Sequence, residues 1–199
     1  MPVTFPTASF IITEMEEHMN VFANSLAGAA VGASLALVHS TGWCADPPQK
    51  NWAVPAHKIY AQKLSDETMA KHPELLSVTL HGVPPGMNDV YTMFAGSYPD
   101  RIGNPDDPDD IDVSKKGITI IDPRWHRTND NPKKFVVLMP MRDKAGENIG
   151  LVVYAFKEPA GNPNTSAAEK DYFAKSAVLR DELARKIPSY KALFESAKD

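Results

Sequence analysis

Hydrophobic and polar positions change their period along this chain, and each change marks an element. Over residues 56–72 the apolar positions Ile59, Tyr60, Leu64 and Met69 form a loose helical stripe that stops before Pro73. Leu76, Val78 and Leu80 then alternate with Ser77, Thr79 and His81, the period of a half-buried strand. Gly82-Val83-Pro84-Pro85-Gly86 breaks it, and residues 90–97 predict a second strand, antiparallel to the first across the Pro-Gly turn. A polar stretch over 101–117 predicts a loop with one helical turn near 109–115, its N-terminus capped by Asp109 or Asp110. Residues 117–121 make a short β-branched strand, and 122–134 a second polar loop. The two strongest strands are 135–141 and 149–156, joined by a hairpin connection with Gly146 where a positive φ is needed. A Pro/Gly/Asn linker over 158–164 leads to the capping box Ser166-Ala167-Ala168-Glu169. That box opens a helix whose apolar side includes Tyr172, Phe173, Leu179, Leu183 and Ile187, ended or kinked by Pro188.

This order predicts an α+β fold: a five-stranded antiparallel sheet with an N-terminal helix and a long C-terminal helix. The terminal helices cover one face and the middle loops the other. At 199 residues, with 43% hydrophobic and 23% charged content, the chain is one globular domain plus a terminal extra, and disorder is excluded as its main state. Lys and Arg number 21 against 25 Asp and Glu, with no basic block, which excludes nucleic acid as a partner.

Residues 1–45 differ from the rest. They carry Glu14, Glu16 and Glu17 but no Lys or Arg, and residues 21–38 (VFANSLAGAAVGASLALV) are rich in Ala, Gly and Leu. The favoured reading is a secretory signal peptide with a small-x-small cleavage candidate at Ser40-Thr41-Gly42, and Met19 as an alternative start. A retained membrane anchor and a buried Ala/Gly-rich helix are the competing readings. Asn24, Ser25, Ser34 and several Gly make a poor span, and Trp43 directly before Cys44 is wrong for lipid attachment. Cys44 is the single cysteine, so no internal disulfide and no Cys-based zinc site is expected. The domain boundaries expected are therefore a signal over 1–45, a core domain over 46–164, and a helix over 165–199 packing on it.

The stretch FVVLMPMRDKAGENIGLVVY at 135–154 combines a hydrophobic strand, a D-x-x-G turn at Asp143–Gly146, and an I-G-x-x-V strand from Ile149. It resembles the final hairpin of the single Cache-type, PAS-like sensory domains of bacterial envelope proteins, and residues 57–157 carry the resemblance as a whole. The resemblance implies a periplasmic or secreted, free-standing domain that binds a small molecule, with a separate envelope signalling protein as partner and no stable membrane span after processing. It does not choose the ligand.

Arg124-Trp125 is the first ligand candidate. A guanidinium clamps a carboxylate while an indole excludes water. Some amino-acid-sensing members carry an Arg/Trp-Tyr motif near this place; here His126 follows Trp125, so the match is partial. Both long loops exceed ordinary connections and are expected to roof the open sheet face. Arg101 with Asn104 lies in the first, His81 and Tyr91 would donate hydrogen bonds from the sheet, and the acids of the 106–110 run, Asp110 among them, would receive an ammonium group of the ligand. The expected ligand is thus a small anionic or zwitterionic metabolite. The acid run could also hold calcium, but it lacks the D-x-D-x-D-G spacing and distal Glu of an EF-hand. The six histidines show no H-x-x-x-H or H-E-x-x-H spacing, and no nucleophile elbow, P-loop or dinucleotide motif is present. No catalytic residue, metal or cofactor is expected. The alternative function is an envelope hydrolase using the 101–112 loop and His81, with or without a metal.

Overall fold

The computed structural model describes residues 49–122, 133–157 and 166–198, all within the compact unit Ala45–Asp199. Its elements are helix α1 (Tyr60–Lys71), strands β1 (Leu75–Gly82) and β2 (Thr92–Gly96), helix α2 (Pro108–Lys116), strands β3 (Ile120–Asp122), β4 (Lys134–Arg142) and β5 (Asn148–Lys157), and helix α3 (Ser166–Lys186). All five strands form one antiparallel sheet in the order β2-β1-β5-β4-β3. This is the α+β architecture that the periodicity predicts. The expected signal segment, the Arg124–Trp125 loop and the Pro/Gly linker lie outside the described residues. Among the described residues no helix is long and apolar enough to cross a membrane.

The sheet is buried on both faces. On the first, Leu80, Phe94, Val137, Met139, Val152 and Tyr154 are fully enclosed beneath α1 and α3. In α3 the buried positions Tyr172, Ser176, Leu179 and Leu183 recur at helical spacing, and Tyr172 stacks on Phe135 with ring centroids 4.6 Å apart. Phe173, expected on that stripe, is 42% exposed; it follows Tyr172 by one residue, about 100° around the helix. Gln62 of α1 binds the end of β2 in both directions, accepting from Gly96 N–H at 3.0 Å and donating to Gly96 C=O at 3.1 Å. An edge that would otherwise lack partners is thereby satisfied.

Tyr154 sits at the centre of this core, its hydroxyl has no hydrogen-bond partner among the described residues, and burial pushes the phenol well above its ordinary pKa. Removing that hydroxyl leaves nothing unsatisfied. Tyr154→Phe is expected to hold stability or raise it by up to about 1 kcal/mol, read from urea midpoints. A clear loss would show the hydroxyl to be bonded.

The second face is covered by α2. Its N-cap is Asp107 with Pro108 at the first helical position, one turn earlier than the expected cap at Asp109 or Asp110. Pro is preorganised for that position and its missing N–H costs nothing there. The helix runs nine residues and stops at Gly117, whose φ of 65° is left-handed. Val113 is fully buried against Val136, Leu138, Leu151 and Ala155. Consequently β1 is a central strand, and Ser77, Thr79 and His81 are buried rather than solvated. Leu76 also departs from expectation. Pairing with β5 slips between Leu75 and Ser77, and a one-residue slip turns a side chain to the other face. Leu76 therefore packs on the α2 side.

The β4–β5 hairpin turns as expected, with Gly146 at φ 87°. Asp143 Oδ1 accepts from the Ala145 and Glu147 N–H groups at 2.9 and 3.0 Å. Asp143→Ala frees both donors to water, so its expected cost is about 1 kcal/mol, seen as a lower melting temperature with an unchanged fold.

Candidate functional site: a buried polar cluster beneath α2

β1 alternates strictly after its slip, so Val78 and Leu80 enter the large core while Thr79 and His81 point toward α2. His81 is 6% exposed. Its Nε2 lies 2.7 Å from Thr79 Oγ1 and its Nδ1 lies 2.7 Å from Asp106 Oδ1. An ionised carboxylate only accepts, so in this pair Nδ1 carries the proton and Nε2 is left to bond the Thr79 hydroxyl.

Asp106 reaches this position because the segment before α2 is zipped along β2 rather than draped over the sheet. Gly103 N–H donates to Met93 C=O at 2.8 Å, Met93 N–H to Asn104 C=O at 3.2 Å, and Asp106 N–H to Tyr91 C=O at 3.1 Å. Thr92 Oγ1 adds a bond to Asn104 C=O at 2.8 Å. Asn51 fixes the outer side, donating from its backbone to Gly103 C=O and from Nδ2 to Tyr91 C=O. The Asp106 side chain is 0% exposed, and its Oδ2 has no hydrogen-bond partner among the described residues.

Asp110, the third residue of α2, completes the group. One of its oxygens, Oδ2, accepts from Asp107 N–H at 3.3 Å. Burial raises its carboxyl above the ordinary range; His81 opposes the rise and the neighbouring Asp106 carboxylate adds to it. His81, Asp106 and Asp110 together offer donor atoms that all lie within 4.8 Å of one another. A second trio, Asp107, Asp109 and Asp110, meets the same spacing but sits at the surface. The Tyr190 phenol is pushed upward by burial and by the negative charge of Asp106, while its hydroxyl donates to Val83 C=O at 2.8 Å.

Of the residues singled out from sequence, the structure brings His81 and Asp110 together. Tyr91 and Asn104 contribute backbone carbonyls to the zipper that positions Asp106, and the Tyr91 ring carries Lys115 Nζ at 5.0 Å from its centroid. Arg101 departs from expectation: it is exposed on the 3₁₀ turn Pro99–Arg101, with its guanidinium 5.6 Å from the Tyr98 ring centroid. The first long loop is held to β2, so it does not carry Arg101 over the sheet as a roof. Arg124 and Trp125 lie outside the described residues. Thr79 is the member that sequence reasoning did not single out, and Asp106 entered it only as one acid of the 106–110 run. The usable signal for Asp106 was Asp107-Pro108, an N-cap followed by Pro; it starts the helix at 108 and leaves Asp106 on the extended segment beside β2.

No family model and no curated protein matches the chain. Among solved structures, it is similar to the Escherichia coli DcuS sensor domain, at 19% identity and a TM-score of 0.34, over 48% of this chain and 65% of that one. It is also similar to the PixJ GAF domain of Thermosynechococcus elongatus in its blue-light absorbing form. There the identity is 16% and the TM-score 0.35, over 63% of this chain and 81% of the other. The described sheet and its helices form an α+β arrangement, an antiparallel sheet with terminal helices on one face and a short helix on the other.

Proposed function

We propose that this chain is an exported sensory domain that binds a small solute on the α2-covered face of its sheet, without catalysis. The observation that carries the reading is the buried Asp106 carboxylate with its unpartnered Oδ2 beside His81 and Asp110. Buried carboxylate oxygens are ordinarily bonded, and leaving one unmade costs about 1–3 kcal/mol or more. A fold that keeps such a group under a surface helix has a use for it. The charge of the cluster is negative, so it suits the cationic centre of a solute. A zwitterion fits if its ammonium seats at Asp106 and Asp110. The signal is passed to a separate envelope protein.

Two measurements test this. Small molecules released from the purified protein are identified by mass spectrometry, and a thermal-shift panel of amino acids, amines and carboxylates compares wild type with Asp110→Asn. Stabilisation by a cationic or zwitterionic solute that is lost in Asp110→Asn is the expected result. A ligand indifferent to both Asp110 and His81 defeats the site. Export has its own test: N-terminal sequencing of the envelope fraction is expected to find a start between Trp43 and Asp46, and intact residues 1–45 on a cytosolic protein would refute it.

One observation favours a hydrolase instead. The Asp106–His81–Thr79 chain, with both contacts at 2.7 Å, has the connectivity by which a carboxylate and imidazole activate a hydroxyl nucleophile. Thr79 is 7% exposed. Turnover of activated esters that disappears in Thr79→Val would replace the sensory reading.

A further inference from the structure

We infer that His81, Asp106 and Asp110 bind one first-row divalent transition-metal ion, with Thr79 orienting the imidazole. The inference rests on the sensory reading above and names the cation. Three observations converge on it. The donor atoms of all three residues already lie within 4.8 Å of one another. The Asp106 side chain is 0% exposed, its Oδ1 contacts His81 Nδ1, and its Oδ2 has no hydrogen-bond partner among the described residues. The two carboxylates face each other with no Lys or Arg among their described hydrogen bonds.

Donor chemistry selects the ion. Calcium and magnesium take oxygen ligands throughout, whereas one imidazole nitrogen with two carboxylates suits Zn²⁺ and its first-row neighbours. Bonds of about 2.0–2.1 Å in a tetrahedron place donors about 3.3 Å apart. The largest adjustment falls on Asp110, which stands at the partly exposed start of α2 and can rotate inward. The ion takes the place of the His81 Nδ1 proton. The ring then holds its proton on Nε2 and donates to Thr79 Oγ1 across the existing 2.7 Å contact, an outer-shell bond of the kind that fixes metal-bound histidines. Three protein ligands leave a fourth position for water or a small anion.

The test uses the full chain, stripped with EDTA and dialysed. Calorimetric titration with Zn²⁺ is expected to show one site of high affinity, and Co²⁺ to give the intense visible bands of low coordination number. Asp110→Asn and His81→Gln should each weaken Zn²⁺ at least tenfold, and Thr79→Val by about 10–100-fold. Circular dichroism of each variant confirms its fold. Zn²⁺ binding that persists unchanged in both Asp110→Asn and His81→Gln belongs to other histidines and overturns the inference. If wild type takes no Zn²⁺ while an organic ammonium stabilises it through Asp110, the metal is refuted and the sensory reading stands. If neither binds, both fall.

Discussion

Val152→Asp is expected to leave no folded domain. Val152 is fully buried at the middle of β5, where it pairs with Leu80 of β1 and Met139 of β4. Those partners are themselves fully buried and apolar, and α1 and α3 close the face above them. A carboxylate placed there is surrounded by the apolar side chains of this core. It either ionises at a cost of several kcal/mol or stays protonated with an unbonded hydroxyl. Total stability of an ordinary domain is about 5–15 kcal/mol, so the loss of Val152 packing and the buried polar group together consume most of it. Val137→Asp, opposite Tyr154 in β4, should behave alike. The expected readout is insoluble expression, or a melting temperature lowered by well over about 10 °C at about 2–4 °C per kcal/mol. Both variants melting like wild type would show that this face of the sheet is not the core.

The strongest strand positions were legible in the sequence because unbroken apolar runs of seven or eight residues, bounded by polar and Gly-containing turns, describe strands covered on both faces. Residues 135–141 and 149–156 sit inside β4 and β5 with only the ends moved. Depth was not legible. Ser77, Thr79 and His81 are polar, and polar residues alternating with apolar ones describe a strand with one wet face. Here the wet face is occupied by α2, a helix that local pattern reduces to a single turn because its only fully buried residue is Val113. One residue makes no stripe, so periodicity could not announce the helix. Capping chemistry could: Asp107, Pro108 and Gly117 mark both of its ends.

For the site, sequence alone pointed to loops that are long and carry arginines. Loop length did not say where the chain would run. The bonds from Gly103, Asn104 and Asp106 to β2 are backbone bonds, and backbone bonds leave almost no trace in residue identity. They turn the first loop into an irregular neighbour of β2 and deliver an aspartate, not an arginine, to His81. The proposed ligand is accordingly cationic or zwitterionic, where an anionic or zwitterionic one was expected. Histidine and aspartates were visible as residue types; their meeting needed the fold.

Gly150 shows how closely the same site depends on the strands behind it, and its replacement is the second large effect. Gly150 stands in β5 opposite Met141, next to Leu151, the partner of His81. Its φ is 141°, a backbone conformation that L side chains rarely adopt, and a Cβ built there would lie 2.5 Å from the His81 carbonyl oxygen and 3.2 Å from Met141 Cε. The first contact is with backbone and cannot be relieved by rotating a side chain. Gly150→Val therefore combines strain of about 1–3 kcal/mol with a similar penalty for overpacking, about 2–6 kcal/mol in all. Relief requires β1 to move away from β5 at His81, which carries the imidazole off Asp106. The variant should lose stability in urea and lose ligand or ion binding by more than stability alone explains, because the surviving folded molecules hold His81 displaced. Gly150→Ala meets the same carbonyl with less bulk and should fall between the two. A Gly150→Val protein with an unchanged urea midpoint and unchanged binding would mean that β1 and β5 are not in this register at His81.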